Sequence, residues 1–142
     1  MNSDSPSVLL AAPGYVARYV APALEEDAQV LAGDTLPETL RILKTATPDV
    51  LVLSYVFDEL RPFRLLAEVE SASPDGHLPI LLVKATSVSL GETTEELRLA
   101  YRTLGAIDFF NLWEERMRWG NAAALERLRR AVRRYLPKKR RT

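Results

Sequence analysis

Pro48-Asp49-Val50-Leu51-Val52-Leu53-Ser54-Tyr55 is the stretch on which the fold turns. A Pro-Asp turn precedes an aliphatic run, Val50 to Leu53, and the small Ser54, with none of the polar alternation of a strand that has one face in water. The pattern predicts a strand buried on both faces, which belongs at the centre of a parallel sheet. In open parallel sheets, ligands and reacting groups gather at the carboxyl ends of the strands. Here that end carries the hydroxyl of Ser54.

A chain of 142 residues, 47% of them hydrophobic, has room for one domain with a sizeable core and too little for two ordinary ones. It has no cysteine, so disulfides and thiolate ligation of metals are excluded, and its single histidine, His77, makes no metal site without several converging carboxylates. Neither a metal nor another cofactor is expected. No apolar run approaches the roughly 20 residues of a membrane helix, and the Val8 to Ala12 run lacks the basic leader of a secretory signal. The expectation is a soluble, cytoplasmic protein without a membrane partner. The formal net charge of zero hides a division: residues 114–142 hold 11 Lys/Arg and three Glu, whereas residues 1–113 hold eight Lys/Arg and 16 Asp/Glu. A basic end on an acidic body suggests an interacting C-terminal surface.

Taken in order, residues 1–6 are a polar lead-in expected to be disordered, 7–136 the domain, and 137–142 a basic tail. Ser7 to Ala11 is the first predicted strand. Val16, Tyr19, Val20, Ala23 and Leu24 recur at helical spacing, although Pro22 should kink that helix or delay its start. Gln29 to Ala32 is a second strand. Thr35 and Glu38 form a capping box ahead of a helix with Leu36, Leu40 and Leu43 on one face, which must end before Pro48. Leu65, Leu66 and Val69 mark a third helix, Ser71 to His77 is turn chemistry with His77 a surface residue, and Pro79 to Val83 is a fourth strand. After a longer loop, Thr86 to Glu92, a second capping box (Thr93, Glu96) opens a helix whose buried face is Leu97, Ala100, Tyr101 and Leu104, terminated by Gly105. A fifth strand follows within Gly105 to Phe110. Asn111 to Gly120 is expected to be an extended connector whose tryptophans, Trp113 and Trp119, cover the sheet or contribute to docking, packing being the safer reading. Asn121 is the expected cap of a last helix with an apolar stripe of Leu125, Leu128, Val132 and Leu136 and an opposite face of Arg127, Arg130 and Arg134, flanked by Arg129 and Arg133. Five strands each followed by a helix, joined by right-handed crossovers, make a three-layer, doubly wound, flavodoxin-like α/β fold with a five-stranded parallel sheet.

Three segments, Pro48 to Leu53, Pro79 to Val83 and Gly105 to Phe110 (Gly-Ala-Ile-Asp-Phe-Phe), resemble in order and spacing the third, fourth and fifth strands of response-regulator receiver domains. The resemblance spans Ser7 to about Leu136 and implies strand order 2-1-3-4-5. In receivers the third strand ends in the aspartate that accepts a phosphoryl group, and Ser54 stands at that position. The acidic pair that holds Mg²⁺ falls on Ala11 and Ala12, or on Ala12 and Pro13 with the register one residue off. The hydroxyl after the fourth strand falls on Lys84, the phosphoryl-contacting lysine on Leu112, and the switch aromatic on Phe109. Alanine provides no oxygen ligand for a hard cation. Lys84 would bind an anion or, as the preferred reading, snorkel past the rim to solvent. Val56-Phe57-Asp58-Glu59 stands where the family has a Met-Pro turn, and Asp58 and Glu59 are expected to be a solvated acidic cluster at a helix start rather than a catalytic pair.

Phosphoryl transfer needs positioning together with metal and cation stabilisation. The resemblance therefore implies a stand-alone, degenerate receiver: not an enzyme, with no catalytic residue and no metal, acting as a phosphorylation-independent protein-interaction module in signal transduction. Its expected surface comprises Tyr101, Trp113, Trp119, Arg127, Arg130 and Arg134, and its partner a signalling protein or a second copy docked through the fourth and fifth helices. A nucleic-acid-associated role resting on the Arg-rich helix and tail is the alternative. A flavin enzyme ranks last, because Ala11 to Tyr15 offers one glycine and no Ser or Thr for a phosphate loop.

Overall fold

The structure, a computed structural model, describes residues 5–58, 62–72, 78–87, 94–103, 105–106 and 108–137. Its elements are β1 (Ser7–Ala11), α1 (Gly14–Leu24), β2 (Gln29–Gly33), α2 (Leu36–Ala46), β3 (Val50–Ser54), α3 (Pro62–Ala72), β4 (Ile80–Lys84), α4 (Thr94–Thr103), β5 (Asp108–Asn111), α5 (Leu112–Trp119) and α6 (Asn121–Arg133). Expectations for Glu59, His77, Thr93, Leu104, the N-terminal residues 1–4, most of the loop after Thr86 and the tail from Lys138 lie outside the described residues.

The strands form one parallel sheet in the order β2-β1-β3-β4-β5. Every residue of β3 and β4 is buried. Alternation along the strands divides the core into two layers. Leu9, Leu51, Leu53, Leu82 and Phe109 face α2, α3 and α4, where they meet Leu36, Leu65, Leu66 and Tyr101. Val8, Leu10, Val50, Val52, Leu81 and Val83 face the opposite way, onto Val16, Val20 and Leu24 of α1 and Ala124, Leu128 and Val132 of α6. The uninterrupted aliphatic run in β3 is thus the signature of a strand that serves both layers at once.

Local chemistry sets the helix starts. Thr35 Oγ1 accepts the N–H of Glu38 (3.3 Å), and the Glu38 carboxylate accepts the N–H of Asp34 (3.3 Å), so the predicted capping box forms one residue wide of its usual geometry. Gly33 is required by close packing: a Cβ there would lie 2.4 Å from Thr39 Oγ1 and 3.1 Å from Thr39 Cα. Pro22 does not delay α1, which begins at Gly14. The proline sits in the last turn, so the i→i−4 bond that its missing N–H removes falls at the end of the helix rather than in its middle.

Three expectations are corrected. Asn111 to Gly120 is not extended: Asn111 Oδ1 accepts the Glu114 N–H (3.0 Å) and starts α5, with Glu114 and Glu115 in its first turn and Arg116 and Arg118 in its last, each set complementing the helix dipole. Asn121 does not cap α6. Gly120, at φ +89°, ends α5 and is the N-cap of α6, a left-handed conformation that glycine adopts without penalty. The Asn121 side chain instead accepts the hydroxyl hydrogen bond of Tyr19 on α1. Asp58 is neither solvated nor the start of α3: it is partly buried, at φ +41°, and its Oδ2 accepts the N–H of Leu36 (2.7 Å), capping α2 from the loop after β3.

Candidate functional site

The carboxyl ends of the strands are closed. Ala11, Ala12 and Leu112 are 0% exposed and Ser54 is 1% exposed. Ser54 is held in a tight turn: its Oγ accepts the Val56 N–H (3.3 Å), its carbonyl accepts the Phe57 N–H (3.1 Å), and the next N–H, of Tyr55, donates to Val83 O (2.8 Å). Leu112, immediately after β5, packs in the same apolar layer as Ala12, Val83 and Ala85. The side chains here are methyl, isobutyl and one hydroxyl, a set with no carboxylate oxygen for a divalent cation. Among the described residues, no group of three His, Asp or Glu could hold a metal ion.

Lys84 does not snorkel. It is buried; its Nζ donates to Thr86 O (3.0 Å) and lies 5.3 Å from the centroid of the Trp113 ring. Burial pulls its pKa below the ordinary lysine value, opposed by the nearby Glu114 carboxylate. The register explains the placement. Lys84 pairs with Asn111, so the chain turns into α5 directly beside the lysine and brings Trp113 to its amine. The α5 helix thus packs between α6 and the end of β4, over the lysine.

Phe109 is buried on the α4 side, with the Arg98 guanidinium 5.9 Å from its ring centroid and Arg98 paired to Asp108 (3.2 Å). Tyr101, named as a surface candidate, is 1% exposed in the core beneath α4, the place its spacing in the helix stripe also indicated. The two tryptophans divide: Trp113 is partly buried, whereas Trp119 is 54% exposed.

Trp119, Arg127 and Arg130 come together. With Ala123 and Glu126 they line a groove of about 270 Å³ on α5 and α6. The Arg127 guanidinium lies 5.5 Å from the Trp119 centroid and pairs with Glu115, and Arg130 pairs with Glu126 (3.2 Å). Arg129 points elsewhere, hydrogen-bonding Asp27 before β2 (2.9 and 3.3 Å) as well as Glu126 (3.0 Å). Those contacts, Asp27 first, raise the Arg129 pKa, while the bond from Arg129 is the main cause that lowers Glu126. Arg134 is exposed. The α4 and α6 helices pack on opposite faces of the sheet, one on each side of the edge strand β5. No helix among the described residues is long and apolar enough to cross a membrane.

No protein-family model and no curated protein matches the chain. Solved structures do. A receiver-domain protein from Methanospirillum hungatei is 15% identical, covering 92% of this chain and 96% of its own, with a TM-score of 0.65. A response regulator from Thermotoga maritima is 17% identical, with coverages of 92% and 97% and a TM-score of 0.68. The phosphorylated cyanobacterial phytochrome response regulator is 13% identical, with coverages of 94% and 99% and a TM-score of 0.71. The five-stranded sheet in the order 2-1-3-4-5 with its flanking helices is therefore the fold of response-regulator receiver domains.

Proposed function

We propose that this chain is a degenerate receiver that takes no phosphoryl group and works in signal transduction as a protein-docking module. The observation that carries the reading is the sealed rim: Ala11, Ala12, Ser54 and Leu112 stand at the strand ends with at most 1% of their surface exposed. Phosphoryl transfer to a receiver demands an exposed carboxylate nucleophile, a divalent cation held by further carboxylates, and a cation on the phosphoryl oxygens. Ser54 offers a hydroxyl with no base beside it among the described contacts, and such a hydroxyl is a weak nucleophile. Among the described residues, the cation at the rim is Lys84, which donates to Thr86 O and lies over the Trp113 face. Without the acceptor chemistry the fold retains surface, not catalysis. The partner on this reading is another signalling protein.

The reading is tested by incubating the full chain with acetyl phosphate and Mg²⁺ and measuring its intact mass. The expected spectrum is unchanged, with a phosphorylatable receiver as positive control. A stoichiometric gain of one phosphoryl group on the chain would overturn it. The nucleic-acid reading has less behind it: Arg127, Arg129 and Arg130 are each engaged by a carboxylate of this chain, whereas phosphate binding draws its affinity from cations free to displace counterions.

A further inference from the structure

We infer that the groove between α5 and α6 is a docking site for an acidic segment of a partner protein that carries one large apolar side chain. The inference deepens the proposed docking role by giving the partner's chemistry. The floor of the groove is carbon: the Trp119 ring, the Ala123 methyl and the stems of Arg127 and Arg130. Trp119 is among the most exposed large hydrophobic side chains described, and tryptophan in such a position is the residue type most enriched at binding hot spots. A volume of about 270 Å³ accommodates one aromatic or aliphatic side chain rather than a whole cofactor.

Charge selects the rest of the occupant. Arg118 precedes Trp119 on α5, while Arg133 and Arg134 follow Arg130 by about one helical turn; all three are exposed and have no carboxylate partner among the described residues. The arginines of the groove itself are already matched by Glu115 and Glu126. The middle is thus apolar and nearly neutral, and the ends are cationic. A peptide suits that arrangement, with an apolar residue at the centre and carboxylates two or three residues to either side. A continuous phosphate backbone does not, because it must pass both glutamates, and one face of Trp119 is already covered by Arg127. Nucleic acids and a second copy of this chain, which presents exposed Leu99 beside Glu95 and Glu96 on α4, are the competing occupants.

The experiment selects from a random 12-residue displayed peptide library on the full chain, counter-selects on the Trp119→Ala variant, and then titrates the enriched peptides while following the two indole N–H resonances by NMR. Enrichment of Asp/Glu-rich peptides with a central Phe, Trp, Leu or Met, shifting the Trp119 resonance and binding at least tenfold more weakly to Arg118→Glu/Arg134→Glu, is the expected result. These are exposed positions, and the indole spectrum of each variant verifies its fold. Selection of neutral or basic peptides, failure to enrich any sequence that depends on Trp119, saturable binding of a single-stranded oligonucleotide at Trp119 in preference to the peptides, or concentration-dependent self-association that shifts Trp119 would each overturn it. The intact-mass test does not involve the groove, so failure here and failure of the phosphorylation-independent reading are separable.

Discussion

Placing a carboxylate at the centre of the rim, by Ser54→Asp, tests whether the end of β3 is closed to water and cations. Ser54 is 1% exposed, with Val83 its register partner on β4 and the preceding Leu53 paired with Ala11 on β1. An aspartate there loses its water and meets no described cation that is not already hydrogen-bonded; the Lys84 amine is held by Thr86 O. Burial of this kind raises a carboxyl pKa by about two to three, and at about 1.4 kcal/mol for each, the charged form costs about 3–4 kcal/mol at pH 7. Against a typical domain stability of about 5–15 kcal/mol this is a large fraction, and for a chain of this size it lowers Tm by about 10 °C. Ser54→Asn, of equal size and without charge, isolates the steric part.

The pH dependence gives the sharper readout. A carboxyl with a raised folded-state pKa keeps its proton in the folded chain over a range where the unfolded chain has lost it, so stability falls as pH rises through that range. Urea unfolding of the Asp and Asn variants should therefore give similar free energies near pH 4, with a gap that widens as pH rises and then levels off. Equal stability of the two variants at pH 7 to 8 would refute the reasoning, as would stabilisation of Ser54→Asp by millimolar Mg²⁺. Either result would mean that water or cation ligands reach Ser54.

Other parts of the molecule carry their own tests. Lys84→Met keeps the stem over Trp113 and removes a desolvated ammonium, so its stability at pH 7 should lie within about 1 kcal/mol of wild type. Because the folded-state pKa of Lys84 is depressed, the folded chain releases that proton first, and thermal unfolding between pH 7 and 10 should show wild type gaining on the variant as pH rises; a constant difference would count against the buried amine. Arg129→Leu leaves the Asp27 carboxylate, with 18% of its side chain exposed, without its two hydrogen bonds, and should destabilise the chain in urea unfolding, with a coupling in a double-mutant cycle with Asp27→Ala; additive effects of the two substitutions would count against the pair. Gly33→Ala forces a methyl against Thr39 Oγ1 and Cα and should cost about 1–3 kcal/mol, partly relieved by Thr39→Ala, which removes only the nearer of the two contacts.

What the sequence revealed follows from how each feature is encoded. The strands β1, β3 and β4 were legible because burial on two faces leaves unbroken aliphatic runs, and α2 and α6 because a single buried face repeats through 11 and 13 residues. The α5 helix has eight residues and one buried side chain, Leu112, so it has no apolar stripe to detect. Its signals were Asn111 with Glu114 three residues on, and acids before bases, both of which are present in the sequence but weak beside the tryptophans. The role of Asp58 was illegible for another reason. Its acceptor serves Leu36, 22 residues upstream, and only the tertiary structure brings the two together. Lys84 was misplaced as a consequence of α5: snorkelling requires an open rim, and without the helix there was nothing to close it.

On the proposed reading, the alanines at the strand ends and the α5 helix are physically one feature rather than two. In an open receiver rim, carboxylates are tolerated because water and a cation surround them. Once Leu112 enters the layer formed by Ala12, Val83 and Ala85, and Trp113 covers the amine next to the central strands, any carboxylate left behind would be desolvated without a partner. Alanine and serine are the side chains that such a closed space can hold at little cost, and the lysine survives because an aromatic face and a carbonyl oxygen together replace part of its hydration. The helix that begins with Leu112 carries Trp119 seven residues on, two helical turns away, where it lines the groove with α6. A short segment between β5 and the last helix thus buries Leu112 at one end and exposes Trp119 at the other.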